Sequence, residues 1–347
     1  MVLQKDRKLP GLEKAVDPAY LQRGLATRWQ RINGDAPGSI LAVESRVLKY
    51  KPGKTCVIEY CLIPADREQY PQYLIGKMYR KNRGEQVYRN LCLLWQHASN
   101  GRPASAGGMV FGMAQPLWYD PALGMVFQKK ITAPTFEEQI ETGNAECAIA
   151  LVSENLAALH RLALPHSKAK SLAQHVRKFV SPHLDALQQD APQACAQLTA
   201  IIETLSAQHF SNDRQVTPVH GDLNFSQIFL RDGRAFFIDF DGFCFAHPAL
   251  DVANFMAILL TKLPHSGDGY AQRFLTSYLQ HAARERLPGL GPYMALAYLR
   301  RAVICLRKKA GAHWRSELVH LLNIAQTYLY PESDKHQTNS VGQVDEF

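Results

Sequence analysis

The sequence predicts an α+β fold in two lobes: a small antiparallel-sheet lobe with one helix, then a mainly helical lobe. Three observations predict it. Runs rich in β-branched and aromatic residues follow one another at 40–50, 55–63 and 73–79, with Lys51-Pro52-Gly53-Lys54 as the turn between the first two. From residue 145 onward, long segments repeat apolar residues at helical spacing. Between them in character lies 216–242, where two short apolar runs flank Arg231-Asp232-Gly233-Arg234; Asp-Gly between such runs signals a hairpin. On this reading, residues 1–130 form the sheet lobe, 131–330 the helical lobe, and 331–347 a polar tail expected to be disordered.

Each element has a local reason. Residues 1–35 read as helical and polar, anchored by Tyr20, Leu21, Leu25 and Trp29, and the Gly/Pro cluster at 34–38 ends them. After the third strand a helix carries Val87, Leu91, Leu94 and Trp95 on one face. A Gly/Pro/Ser loop at 101–108 precedes two more strands, around 113–118 and 125–129. The segment 145–162 is strongly helical, with Ile149, Val152, Leu156 and Leu159 as its stripe; His160, at its end, reads as a packing or capping residue. Helices are expected at 169–189 and 191–208. Past the hairpin come 249–262, apolar on most faces, then 270–284, 291–309 and 313–330, the last stopped by Pro331. The chain contains no internal repeat.

Composition narrows the class. The 347 residues are enough for two lobes with a sizeable core. Hydrophobic content of 46% and charged content of 20% are those of a soluble globular chain. The formal net charge is +8, but the basic residues are scattered in small clusters such as Arg300–Arg301 and Arg307–Lys309. No long basic run is interleaved with aromatics. That favours solvated helix faces and a phosphate site over nucleic acid as a partner. The seven cysteines are odd in number and contain no Cys-x-x-Cys, which argues against a disulfide framework or zinc site and for buried thiols in a reducing cytoplasm. The N-terminal residues lack a signal-peptide core, and the longest apolar stretch, near 249–260, is too short to span a membrane.

The chemistry lies in 216–242. A hairpin brings its ends together, so Asp222 and Gln227 before the first strand can lie near Asp239 after the second. Two carboxylates and an amide oxygen are hard ligands suited to Mg²⁺ and to activating a hydroxyl. Taken singly, the two carboxylates are also ordinary turn residues. Together, His220-Gly221-Asp222, the polar residue five positions on, and Ile238-Asp239-Phe240-Asp241 resemble the aminoglycoside phosphotransferase/choline kinase family, small-molecule relatives of protein kinases. His247-Pro248-Ala249-Leu250-Asp251-Val252-Ala253 is similar to that family's next element. One departure is Gln227, where the family usually carries Asn.

The resemblance implies a bilobal protein-kinase-like fold and Mg-ATP-dependent transfer of a phosphoryl group to a small-molecule hydroxyl. Asp222 would be the catalytic acceptor of the hydroxyl proton. Gln227 and Asp239 would bind Mg²⁺. Asp241 would add a second metal contact or only a hydrogen bond, His220 would hold the loop, and Asp251 would brace it. In the sheet lobe, Lys77 would contact the α- and β-phosphates, with Glu85 orienting it; a strand lysine and a first-turn helix acid are the plainer readings of the same two residues. Lys49, Lys51, Gly53 and Lys54 would cover the phosphates through amides and ammonium groups, or form a solvated hairpin tip. Gly53-Lys54-Thr55 is no Walker A motif, since it leads into a strand. Adenine would meet backbone near Gln128–Lys130. The expected partners are therefore a nucleotide and a small-molecule hydroxyl substrate. Two rivals remain at this stage: a nucleotide-binding pseudokinase with little turnover, motivated by Gln227 and the short Lys77–Glu85 spacing, and a kinase acting on a protein.

Overall fold

The computed structural model describes residues 6–36, 38–99, 110–165, 168–207, 216–263 and 265–330. The 101–108 loop and the 331–347 tail lie outside the described residues. The chain divides into two compact units: Met1–Ala133 with Phe236–Ile238, and Pro134–Ala235 with Asp239–Phe347.

In the first unit, α1 (Pro18–Tyr20), a π-helical segment Leu21–Ala26 and α2 (Thr27–Asn33) run on from one another. Asp17 starts them by accepting the Tyr20 amide at 2.6 Å, and Gly34, at φ 72°, ends them. Then follow β1 (Ile40–Lys51), β2 (Thr55–Pro64), β3 (Gln72–Tyr79), α3 (Arg83–Ala98), β4 (Pro116–Asp120) and β5 (Met125–Lys129). The five strands form one antiparallel sheet in the order β1-β2-β3-β5-β4. Alternation puts Cys56, Ile58, Tyr60 and Leu62 of β2 on the covered face, where Leu9, Leu12, Leu21, Leu25 and Trp29 pack. Each fully buried large side chain contributes roughly 1.5–3 kcal/mol. The buried Tyr60 hydroxyl is satisfied by the Ala15 carbonyl at 2.8 Å. Gly76 in β3 has no room for a side chain: a Cβ there would stand 2.6 Å from Met125 Sδ and 2.7 Å from the Tyr60 ring. One expected strand is corrected. It begins at Pro116 rather than 113, because Met113 instead makes an isolated parallel bridge with Phe237.

The second unit opens with α4 (Phe136–Glu141), α5 (Ala145–His160), α6 (Leu172–Phe179), α7 (Leu184–Asp190) and α8 (Pro192–Ala207). The helix expected over 169–189 is broken: Pro182 falls in a 3-10 turn, Ser181–His183, between α6 and α7. The short strands β6 (Thr217–Val219), β7 (Ile228–Arg231), β8 (Arg234–Phe237) and β9 (Cys244–Ala246) come next, with β6 paired to β9 and β7 to β8. Four helices close the chain: α9 (Ala249–Lys262), α10 (Gly267–His281), α11 (Leu290–Lys308) and α12 (Trp314–Thr327). The expected stripe of α5 is fully buried, as is most of α9. Phe136, Phe225, Phe255 and Phe274 join α4, the 225–227 turn, α9 and α10 through ring contacts of 4.7 to 5.6 Å.

Among the described residues, no helix is long and apolar enough to cross a membrane. All seven cysteines are free, but only Cys56, Cys244 and Cys305 are buried, and Cys147 is exposed, so the expectation of mostly buried thiols holds for fewer than half.

Candidate active site

In the second unit the site is built where two loops cross. The pairing of Val219 with Cys244 carries residues 220–222 directly over 240–242. Both crossing points are glycine. Gly221 has φ 78°, and a Cβ there would lie 2.4 Å from the Gly242 carbonyl oxygen; one on Gly242 would lie 2.9 Å from the His220 oxygen. Backbone fixed this closely holds the side chains it carries in register.

Asp251 pins the crossing from below. It is completely buried in the first turn of α9. Its Oδ2 accepts the His220 amide at 2.6 Å and its Oδ1 the Gly221 amide at 2.8 Å. His160 Nε2 lies 3.2 Å from Oδ2, and His160 Nδ1 lies 2.8 Å from the Tyr278 hydroxyl. An Nε2–H tautomer satisfies all three groups, donating to Asp251 and accepting from Tyr278. Burial alone would raise the Asp251 pKa. The hydrogen bonds from His160 and from the Gly221 amide outweigh it and hold the carboxyl below its usual range. Asn254, one turn further along α9, donates from Nδ2 to the Leu223 carbonyl at 2.7 Å. His220 is buried, its ring 4.6 Å from that of Phe240. These contacts leave Asp222 at the exposed tip of the loop.

After Asp222 the chain turns at Asn224, whose side chain accepts the Phe225 amide at 2.8 Å, into the 3-10 turn Phe225–Gln227. Gln227 Nε2 reaches Asp239 Oδ2 at 3.4 Å, while its Oε1 is buried with no hydrogen-bond partner. Asp239 itself holds φ 67°, ψ 51°, a left-handed conformation that a non-glycine residue adopts at a cost of about 1–3 kcal/mol. Asp241 sits half-buried in the following turn. Among the described residues, no group of three or more His, Cys, Asp or Glu gathers as a metal cluster. Gln227 and Asp239 nevertheless fit Mg²⁺. A buried amide oxygen lacking a donor and an adjacent carboxylate are two hard ligands, and Mg²⁺ takes its remaining positions from water and phosphate.

One contact at Asp222 was not foreseen. Its Oδ1 accepts from Arg300 Nη2, and Arg300, on α11, is only 8% exposed. Sequence reasoning set Arg300 aside as part of a solvated basic doublet. The missed signal is its spacing: Leu296 and Val303, four before and three after it, are both buried, so Arg300 falls on the apolar face of α11. His160, Tyr278 and Asn254 were missed too, since each acts across a long stretch of sequence.

The candidate nucleotide residues lie in the first unit. Lys77 is half-buried in β3, between Val57 and Val126, with Nζ 5.3 Å from the centroid of the Tyr79 ring. Glu85 forms an ion pair with Arg89, one turn along α3. Lys54 is exposed at the β1–β2 turn. The Gly53 amide is not open to phosphate, because it donates to Asp6 at 2.7 Å. That bond, first among several, holds the Asp6 carboxyl below its usual range. Gln128 donates from its side chain to the Ala114 carbonyl at 3.4 Å. Of the neighbouring amides, Lys129 donates to the Gln115 carbonyl at 2.9 Å and Lys130 to the Tyr73 carbonyl at 3.0 Å.

Residues 135–290 match the sequence profile of the phosphotransferase enzyme family. Similar solved structures include a thermostable mutant of aminoglycoside phosphotransferase APH(4)-Ia in a ternary complex with AMP-PNP and hygromycin B, at 13% identity over 90% of this chain and 99% of that one, with a TM-score of 0.58. Ethanolamine kinase from Plasmodium vivax is similar at 13% identity over 94% and 96%, TM-score 0.54. Choline kinase from Cryptosporidium parvum Iowa II is similar at 11% over 92% and 93%, TM-score 0.57. At these identities the likeness establishes a kinase-like α+β fold. No curated protein matches the sequence. The family resemblance read from the motifs is borne out over residues 135–290.

Proposed function

We propose, from the premise of a phosphotransferase-family segment at 135–290, that this chain moves the γ-phosphoryl group of ATP to a hydroxyl of a small molecule. The observation that carries the reading is the loop crossing at Gly221 and Gly242. Asp222 is exposed at that crossing, and Gln227 and Asp239, from the two turns that follow, stand within 3.4 Å of each other.

In the reaction the acceptor oxygen forms a new bond to the γ-phosphorus, the bond to the ADP oxygen breaks, and the hydroxyl proton passes to Asp222. Gln227 and Asp239 would hold Mg²⁺ through Oε1 and the carboxylate. When bound, the ion supplies charge neutralisation at the phosphate oxygens. In the first unit, Lys77, Lys54 and Gln128 are the residues that the resemblance assigns to the nucleotide. Asp251, His160 and Asn254 position the loop without touching the reactants. Positioning and electrostatics suffice for this chemistry, which asks little covalent work of the protein. Use of a nucleotide is further supported by the AMP-PNP bound in the similar aminoglycoside phosphotransferase.

Asp222→Asn tests the reading. Turnover with ATP and Mg²⁺ across a panel of hydroxyl metabolites should fall by about 10²–10⁴-fold while ATP affinity stays near the parent's. Unchanged kcat would remove Asp222 from the mechanism. The Arg300–Asp222 ion pair favours one rival, a nucleotide-binding module whose carboxylate is kept occupied. Tight ATP binding with no transfer to any acceptor would favour that rival.

A further inference from the structure

We infer that the acceptor carries an anionic group, a carboxylate or a phosphate, received by Arg300 together with Lys170 and Lys178; the inference rests on the phosphotransferase reading above. Three cations gather on the Asp222 side of the loop crossing. Arg300 stands over the Phe179 ring at 4.0 Å from its centroid, and Lys178 Nζ is 4.6 Å from the same centroid. Lys170 is tied to β9 by its amide, which donates to Phe245 at 2.7 Å, and so flanks the strand that carries the crossing. The carboxylates these cations feel are Asp222 and Asp251. Asp251 is already committed to two loop amides and His160. Positive charge therefore exceeds the negative charge left to meet it.

Two buried groups in the cluster lack partners. Arg300 Nη1 is buried and makes no hydrogen bond, although its sister nitrogen holds Asp222. His175 is 1% exposed, stacks on Phe179 at 5.8 Å, and neither ring nitrogen has a partner. Burial, then Lys178, Lys170 and Arg300, push its pKa down to about 3. Lys178 is likewise lowered, first by desolvation and next by Lys170. Cations kept this close without enough counter-charge suit an anion that arrives from solution. A guanidinium offers two parallel N–H donors to a carboxylate or phosphate. An acceptor's anionic group would compete with Asp222 for Arg300, take up Nη1, and release Asp222 to receive the hydroxyl proton. Cationic acceptors would meet repulsion from the same three residues.

Calorimetric titration of the full-length protein with D-glycerate, glycerol 3-phosphate, choline and glycerol tests this, alongside separate titration with MgADP. The two anions should bind, choline and glycerol should not, and whichever anion is tighter tells carboxylate from phosphate. Arg300→Met and the double variant Lys170→Ala/Lys178→Ala should each weaken anion binding at least about tenfold. The double variant alters only exposed side chains, so it decides the matter if Arg300→Met fails to fold. No binding of either anion to the parent, or equal binding to parent and double variant, overturns the inference. Anion binding without MgADP binding would sink the phosphotransferase reading and leave the anion site standing. MgADP binding, together with phosphorylation of choline or glycerol alone when MgATP is supplied as donor, would do the reverse.

Discussion

Gln227 differs from the family's usual Asn by one methylene, and Mg²⁺ demands ligand distances near 2.0–2.1 Å, so this residue tests how the metal would be held. Its Oε1 is buried and without a donor, as a ligand awaiting a cation would be. Gln227→Ala should raise the Mg²⁺ concentration needed for half-maximal rate, and Gln227→Asn should raise it less. A titration in which Gln227→Ala keeps the parent's Mg²⁺ dependence would show that the side chain does not touch the metal. The residues legible in the sequence, Asp222, Gln227, Asp239 and Asp251, are those whose spacing is set within one loop or one helix start. Arg300 and His160 were not legible, because their partners are brought to them by packing between helices rather than by neighbours in sequence. Glu85 shows a contact that sequence spacing does predict. Its i,i+4 pair with Arg89 is local and follows from helix spacing alone, whereas the expected tie to Lys77 is one between elements.

At the level of elements, long periodic segments were readable, and of the short strands β7 and β8 were marked by the Asp232-Gly233 turn between them. α5, α9 and α10–α12 show their apolar stripes over many residues, and β1–β3 alternate cleanly. β6 and β9 have three residues each, too few for any period, yet their pairing sets the crossing on which the site depends. α4 carried a signal that was passed over. Thr135 and Glu138 form a reciprocal capping box, with the Thr135 amide donating to Glu138 at 2.6 Å and the Glu138 amide to Thr135 Oγ1 at 3.2 Å. The crossing itself yields a prediction. Gly221→Ala forces a positive φ on a residue with a side chain and drives its Cβ into the Gly242 carbonyl. It should lower the melting temperature by several degrees and cost turnover about a hundredfold, since an ångström of misplacement is enough for that loss. A variant matching the parent in both would mean that the crossing is looser than described.

Over the whole molecule, buried histidines make acid the weak side of stability. Burial, then neighbouring cations, put His175 near 3; burial, Arg284 and His160 put His247 near 4. In the unfolded chain both titrate near about 6.5. Between those limits the unfolded state binds protons that the folded state refuses, so stability rises with pH and is lost as pH falls below about 6.5. For His175 alone the slope is at most about 1.4 kcal/mol per pH unit. His175→Phe should therefore narrow the difference in urea midpoint between pH 7 and pH 5, and an unchanged difference would show that His175 already protonates in the native state. A different consequence follows from Phe236–Ile238, the three residues that return to the first unit. There the Phe237 amide donates to the Gly112 carbonyl at 3.0 Å, and its carbonyl accepts from Ala114 at 3.4 Å. A chain leaving the ribosome has made all of the first unit's earlier segment, then must make residues 134–235 before this last piece emerges. The first unit thus waits for its closing segment while α4–α8 of the second unit are synthesised. The two units are coupled in the order of their birth, and cutting the gene between them would separate the first from its own closing segment.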